Sequence, residues 1–365
     1  MISLNKPSTT GLDFVSLTRQ HLAGDGPYTK ACEEFLEGVL NAPAVLLTSS
    51  CTAALEMAAL LLDIKPGDEV ILPSFTFPST ANAFVLRGAA PVWCDIRPDT
   101  LNMDERLLPL LITERTKAIV PVHYAGVGCN LDSIPFYDIP IVEDNAHGLF
   151  GRYKGEWLGT IGAFACLSFH ATKNYTCGEG GALIVNDPRY IERAIVIREK
   201  GTNRRQFIRG DVENYHWVDI GSSYLMSDML AIMLYEQLRT WEKVQRSRWE
   251  LHNYYEAGLA AWATQNNVVL PFIPPNCRSA YHLFYLILPT VKNRQKLEAH
   301  LAKNGIGSAA HFQPLHSSPM GSRWPADCPI TEDIAGRLLR LPFYTDLCRG
   351  EQDKVIEVVN GFKCT

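Results

Sequence analysis

The sequence lacks the patterns that mark several common classes of protein. Its 10 cysteines are spread singly through 365 residues with no Cys-x-x-Cys pair, so neither a zinc site nor a disulfide framework is indicated, and no metal is expected. A net charge of −5 without a basic cluster argues against nucleic acid as a main partner. The most apolar region, residues 44–64, is interrupted by polar side chains, so no membrane span is predicted. Unpaired cysteines are typical of a reducing compartment, and we expect a cytoplasmic protein.

The sequence does contain an alternation of strand-length apolar runs and helical stretches. The runs lie at residues 44–47, 69–73, 91–95, 118–122 and 139–143. This alternation predicts an α/β fold with a large, mostly parallel sheet flanked by helices, and ligands of such sheets collect at the carboxyl ends of the strands. Polar clusters at 49–52, 76–79 and 144–147 all follow strands, which indicates one shared site.

The length of the chain favours two domains. We assign residues 1–248 to a large ligand-binding domain that includes an N-terminal lead segment, and residues 249–365 to a smaller C-terminal α+β domain. A long amphipathic helix is predicted from residue 227 to about 248, extending to about 259. The polar stretch 200–217 is too long for a tight turn, and long connections of this kind are usually functional or mobile.

Lys173 lies on a loop between two further apolar runs, 161–167 and 182–185, and glycines at 178, 180 and 181 make the return. A lysine enclosed by Phe169, Tyr175 and apolar strands is partly desolvated, which favours its neutral amine and makes it a usable nucleophile. That is the chemistry of a Schiff-base lysine. A solvated loop lysine is the alternative, and the residues upstream decide between the two.

Two upstream features favour the functional interpretation. A predicted strand is followed by the small polar residues 48–52 and then by a helix. This order places free backbone N–H groups at the helix N-terminus, where a phosphate can bind. Ordinary capping by serine or threonine explains the same pattern. Asp144 ends a predicted strand, and a buried carboxylate beside a ring nitrogen keeps that nitrogen protonated. Lys173 belongs to the same set, and Phe77 is able to cover a ring face. Together these features favour a cofactor site over the alternative that Asp144 only caps a helix or forms a salt bridge. They indicate a site for pyridoxal 5′-phosphate (PLP), whose protonated ring acts as an electron sink.

The order of motifs along nearly the whole chain resembles the nucleotide-sugar aminotransferases of the DegT type, which are fold type I PLP enzymes. The segments that carry the resemblance are 46–57, 73–77, 120–126, 142–148, 168–181 and 219–228. Within that family the sequence looks most like the transaminases that form dTDP-4-amino-4,6-dideoxygalactose. The resemblance implies transfer of an amino group from L-glutamate to C4 of dTDP-4-keto-6-deoxyglucose, with the galacto product favoured, for surface polysaccharide or antigen synthesis. It also implies the aminated cofactor, PMP, as the intermediate form.

The resemblance also implies roles for matching residues. Lys173 would form the Schiff base and move the proton, while Asp144 would hold the pyridinium proton. Ser223 would reach the cofactor phosphate of a partner subunit in a homodimer with shared active sites, because the loop 221–227 has no obvious partner in its own chain. The full cofactor set is Cys51, Thr52, Ala53, Phe77, Asp144, His147, Ser168, His170, Lys173 and Ser223. The expected substrate set is Gly26, Arg204, Arg209, Tyr215 and His316, with the arginines on the nucleotide diphosphate or, as the alternative, merely solvated.

Two departures from the family pattern leave the substrate open. His147 replaces a glutamine that is more frequent in the galactose series, and histidine at this place occurs in UDP-sugar aminotransferases. Phe312 stands where relatives usually carry tyrosine. A UDP-linked or 3-keto sugar is therefore an alternative substrate. A sugar dehydratase of the same fold is disfavoured because such enzymes replace the lysine. A sensor or scaffold would not need the complete set of lysine, aspartate and phosphate-binding residues. A dinucleotide-binding enzyme is disfavoured because no Gly-x-Gly-x-x-Gly follows any of the predicted strands.

Overall fold

The structure is a computed structural model that describes residues 1–7, 23–134 and 138–364. Two sheet blocks, one of three strands and one of four, run side by side. Parallel bridges from Ile119 to Ile141 and from Val122 to Asp144 join the blocks into one sheet. Its strands are β1 (Ala44–Thr48), β2 (Glu69–Pro73), β3 (Ala90–Cys94), β4 (Thr116–Ile119), β5 (Val142–Asp144), β8 (Phe164–Ser168) and β9 (Gly181–Val185), while a hairpin of β6 (Arg152–Tyr153) and β7 (Glu156–Trp157) lies apart.

Strand direction decides where the site forms. β9 is antiparallel to both β1 and β8, and the remaining pairs of the sheet are parallel. The carboxyl ends of β1, β2, β5 and β8 therefore meet at one edge, as the alternation of runs predicted. β1, β2, β5 and β9 are buried along their whole lengths, because helices cover both faces of the sheet.

The helices form two layers over the large sheet and a group around the small unit. They are α1 (Pro27–Leu40), α2 (Cys51–Leu61), α3 (Pro78–Val85), α4 (Leu108–Leu111), α5 (Ile191–Arg198), α6 (Arg204–Arg209), α7 (Asp228–Leu238), α8 (Trp241–Gln265), α9 (Val291–Lys303), α10 (Pro329–Arg337) and α11 (Arg349–Asn360). The single helix predicted from residue 227 is two helices, α7 and α8, with a break at Arg239 and Thr240. No helix in the described part of the chain is long and apolar enough to cross a membrane.

The small unit is built on an antiparallel pair, β11 (Phe284–Ile287) and β12 (Leu338–Leu341), while β10 (Cys277–Arg278) pairs with β6 of the large unit. The predicted division at residues 248 and 249 falls inside α8, whose Val244 packs on the large-unit core and whose Leu251 belongs to the small-unit core. The N-terminus also differs from its predicted place in the large domain. Ile2 bridges Ile306 and lies in the small-unit core, because its apolar side chain finds partners there.

Candidate active site

A cavity of about 670 Å³ opens at the carboxyl edge of the sheet, between the large and small units. The large unit contributes eight of the side chains predicted for the cofactor: Cys51, Thr52, Phe77, Asp144, His147, Ser168, His170 and Lys173. The small unit contributes His282, His311, Phe312 and Arg340. Elements far apart in sequence thus converge on one site.

Lys173 enters the cavity from the loop between β8 and β9. The loop is held by backbone hydrogen bonds, with Lys173 N–H donating to His170 O at 2.9 Å and Ala171 N–H to Gly178 O at 2.8 Å. Burial lowers the pKa of the Lys173 amine below its usual range, while the neighbouring Cys51 and Asp144 act in the opposite direction. This is the direction expected from the apolar surroundings of the loop, and it increases the neutral, nucleophilic fraction of the amine.

Asp144 ends β5 with its carboxylate held in a fixed orientation. Oδ2 accepts a hydrogen bond from the Thr80 hydroxyl at 2.7 Å, and Oδ1 accepts one from Ala146 N–H at 3.2 Å. The Thr76 hydroxyl continues this chain at 2.8 Å from that of Thr80. Burial raises the pKa of Asp144, while the hydrogen bond from Thr80 acts in the opposite direction. A cationic partner in the cavity would therefore be strongly favoured next to this carboxylate.

The N-terminus of α2 borders the cavity at Cys51 and Thr52. Ser50 caps the helix, since its Oγ accepts the Ala53 N–H at 3.0 Å. Ala53, which the resemblance placed in the cofactor set, gives its N–H to this cap and does not line the cavity among the described residues. Gly181 packs directly on this turn, where an added Cβ would lie 2.3 Å from Ser50 C and 2.4 Å from Cys51 N.

Three histidines form one wall. His147 stacks on His282 with ring centroids 4.1 Å apart, and His311 Nδ1 lies 3.0 Å from the Tyr124 hydroxyl. Burial lowers the pKa of all three, that of His311 to about 2, so the wall is uncharged near neutral pH. His147 Nδ1 is buried and has no hydrogen-bond partner among the described residues. His282 was missed from the sequence, where the only signal was a histidine directly before an apolar run.

None of the five residues predicted to bind the substrate is among the described residues that line this cavity. Arg204 pairs with Glu199 at 2.8 Å, and Arg209 pairs with Glu192 at 3.0 Å. These acidic neighbours could not be located from the sequence. The remaining three lie elsewhere: Gly26 at the start of α1 against Asp228, Tyr215 on the surface, and His316 buried between Ser74 and Glu332.

The loop 221–227 differs from the expectation that it has no partner in its own chain. Tyr224 accepts the Ser49 N–H at 2.8 Å and donates its own N–H to Arg198 O at 3.2 Å. Ser223 bridges Glu199 through the backbone, and its side chain is exposed outside the cavity. The loop is therefore anchored through its backbone, which leaves the Ser223 hydroxyl on the molecular surface.

The chain is similar to proteins of known class over nearly its whole length. Residues 14–360 match the DegT/DnrJ/EryC1/StrS aminotransferase family. The spore coat polysaccharide biosynthesis protein SpsC of Bacillus subtilis is 32% identical over 349 residues, 92% of this chain and 89% of that protein. The aminotransferase TlmJ from Streptoalloteichus hindustanus is 30% identical with a TM-score of 0.90, covering 99% of this chain and 98% of that one. The PLP-form of the putative sugar aminotransferase Spr1654 from Streptococcus pneumoniae is 28% identical with a TM-score of 0.89, covering 98% and 97%.

These similarities define the class as PLP-dependent aminotransferases of fold type I, as the motifs predicted. The chain belongs to the DegT/DnrJ/EryC1/StrS aminotransferase family, whose members act in sugar biosynthesis.

Proposed function

We propose that the protein transfers the amino group of L-glutamate to C4 of dTDP-4-keto-6-deoxy-D-glucose, forming a dTDP-4-amino-4,6-dideoxyhexose, with the galacto epimer favoured. The observation that carries the proposal is the convergence of Lys173, Asp144 and the N-terminus of α2 on one cavity. Phe77 and Phe312, 6.4 Å apart between ring centroids, provide an apolar wall suited to the 6-methyl group. The product is a building block for surface polysaccharide, in keeping with the relative that acts in spore coat polysaccharide biosynthesis.

The side chains around the cavity fit PLP. His147 Nδ1 needs a hydrogen-bond partner, which the ring hydroxyl would supply. Asp144 would hold the ring nitrogen, and Phe77 would cover a ring face. Free amides at the start of α2, with Thr52 and Ser168, would hold the phosphate, and the close approach of Gly181 keeps this turn in place.

When bound, PLP supplies an aldehyde that accepts the amino group and a protonated ring that stabilises negative charge on the reacting carbon. Lys173 would anchor the cofactor through Nζ and then move the proton between the reacting carbons, since burial lowers the pKa of its amine. Asp144 would keep the ring nitrogen protonated. Because burial lowers the pKa of His147 and His282, these histidines would add no positive charge beside the amine near neutral pH.

We further propose a homodimer with shared active sites. Ser223 is exposed, and the neighbouring apolar side chains Trp217, Val218 and Ile220 are 81%, 54% and 46% exposed. Apolar side chains clustered on a surface mark an interaction site more often than scattered ones do. Arg204, Arg209 and Tyr215 would then reach the nucleotide of the partner subunit.

The sugar nucleotide has a second candidate. His147 favours a UDP-linked sugar, because histidine at this place resembles the UDP-sugar aminotransferases. A panel of dTDP- and UDP-linked 4-keto and 3-keto sugars, each with L-glutamate, decides between them by mass spectrometry of the products, with a Lys173→Ala variant as the inactive control. We expect the dTDP-4-keto-6-deoxy sugar to react fastest. Preference for a UDP-linked or 3-keto sugar would contradict the substrate, and dehydration without amination would contradict the reaction.

A further inference from the structure

Arg340 lines the cavity from the small unit, where β12 fixes its position. Arg340 lies opposite Tyr285 of β11 in the antiparallel register, and its backbone N–H donates to Ala309 O at 2.8 Å. Leu338, two positions earlier and thus on the same face of the strand, packs in an apolar cluster with Phe75. The strand therefore presents a guanidinium on a face that otherwise forms core.

The guanidinium of Arg340 has no counter-ion in the described part of the chain. No hydrogen bond or ion pair among the described residues reaches its side chain, and its Nε is buried and unpartnered. By contrast, the buried Arg198 pairs with Glu33, and the buried Arg248 donates to Tyr281 O at 2.7 Å. Arg340 is partly buried, and burial lowers the pKa of its guanidinium, so a cation held there without an anion carries a desolvation cost. The arrangement indicates an anion that comes from outside the chain.

The backbone contacts of β12 locate Arg340 within the cavity. Arg340 bridges Ala309, two residues before His311 of the histidine wall, and both Arg340 and His311 line the cavity. The charge of Arg340 also lowers the pKa of Lys173, His147 and His311, in addition to burial. Arg340 therefore lies next to the histidine wall, and its charge reaches the Lys173 amine.

We propose that Arg340 binds the carboxylate of the amino donor and so holds the donor nitrogen beside Lys173. The inference rests on the proposed aminotransferase reaction. An α-amino acid carries its carboxylate on the same carbon as its nitrogen, whereas the diphosphate of a 4-keto nucleotide sugar is on C1, across the ring from the reacting carbon. A cation beside the lysine amine fits the first geometry and not the second. The guanidinium fork also matches a carboxylate in a bidentate pair.

The test compares Arg340→Gln and Arg340→Lys with the native holoenzyme and with Arg337→Gln as a matched control. Arg337 lies three positions earlier, pairs with Asp333 and does not line the cavity among the described residues. Calorimetry measures binding of 2-oxoglutarate, the keto acid derived from the donor, without turnover. Single-turnover kinetics then measure the L-glutamate and keto-sugar half-reactions separately. Near-native melting temperature and cofactor absorbance show that each variant is folded.

We expect Arg340→Gln to weaken 2-oxoglutarate binding and raise the KM for L-glutamate by roughly 10- to 100-fold, the range for a lost charge-assisted hydrogen bond. Arg340→Lys should recover part of this loss, and the keto-sugar half-reaction and Arg337→Gln should stay native. Native affinity for 2-oxoglutarate in Arg340→Gln would overturn the proposal, as would a rise in the KM for the nucleotide sugar alone. If the native enzyme aminates no keto sugar yet its 2-oxoglutarate binding depends on Arg340, the proposed function fails while the carboxylate site stands.

Discussion

The proposed role of Asp144 is to keep the cofactor ring nitrogen protonated through the negative charge of its carboxylate. Its two oxygens are already oriented by Thr80 and Ala146, so replacing it with asparagine preserves most of the shape but removes the negative charge. We expect Asp144→Asn to lower kcat by roughly 10²–10³, because loss of an electrostatic group that acts in the transition state has this effect. Cofactor affinity should fall far less. Half-reaction kinetics measure kcat and absorbance titration measures cofactor affinity, with the exposed Asp327→Asn as control. Near-native turnover of Asp144→Asn would show that the charge is not needed.

The histidine wall predicts acid sensitivity of the fold. Unfolded histidine has a pKa of about 6.5, whereas burial holds the pKa of His311 at about 2 in the folded state. Between these values the unfolded chain binds the extra proton, so the stability present above the upper value is lost as the pH falls. Each such histidine contributes a slope of about 1.4 kcal/mol per pH unit.

Urea unfolding at pH 7.5, 6 and 5 tests this expectation. The unfolding free energy of the native protein should fall as the pH is lowered, and His311→Asn should make the fall shallower by about one proton. His216→Asn is the matched control, because His216 is exposed. An identical pH dependence in native protein and His311→Asn would contradict the uncharged wall.

At the level of single residues, the sequence predicted what lies next to a strand end and missed what comes from the other unit. Asp144 and Ser168 could be placed because each follows an apolar run directly, and Thr52 because it opens the helix that follows β1. Arg340 and His282 could not, because only the packing of the small unit against the large one brings them to the cavity. The pairing of Arg204 with Glu199 was equally hidden, since it depends on where α6 turns.

Among the elements, β9 and α2 depend on each other through Gly181. An alanine there would place its Cβ 2.3–2.5 Å from backbone atoms of Ser50 and Cys51, so the turn that starts α2 would have to move. We expect Gly181→Ala to lower the free energy of unfolding by roughly 1–3 kcal/mol, the cost of overpacking, and to weaken PLP binding. Gly38→Ala, in open space on α1, should be neutral or stabilising. Native cofactor affinity in Gly181→Ala would show that this turn does not hold the phosphate.

The elements themselves were largely predictable, and the exceptions have physical causes. Continuous apolar runs mark strands covered on both faces, which is why β1 and β2 were found close to their observed bounds. The run 139–143 predicted a longer strand than β5, which begins only at Val142. The break between α7 and α8 was missed because polar and apolar residues keep a helical spacing through Arg239 and Thr240. The short helix α6 was missed because it has no buried face to produce a periodic pattern.

For the whole molecule, the proposed homodimer is tested through Ser223, whose side chain is exposed on the surface. If Ser223 completes the site of a partner subunit, an aspartate there would repel the cofactor phosphate, so Ser223→Asp should be inactive alone, as should Lys173→Ala. Mixed after unfolding and refolding, the two chains form hybrid dimers in which one site has both native residues. With equal amounts of the two chains, random pairing makes about half of the dimers hybrid, and one of the two sites in each hybrid is intact. About one quarter of native activity should therefore return. A double variant carrying both changes, mixed with Lys173→Ala, is the control and should restore nothing. Absence of complementation, or full activity in a monomer by analytical ultracentrifugation, would show that each chain holds a complete site.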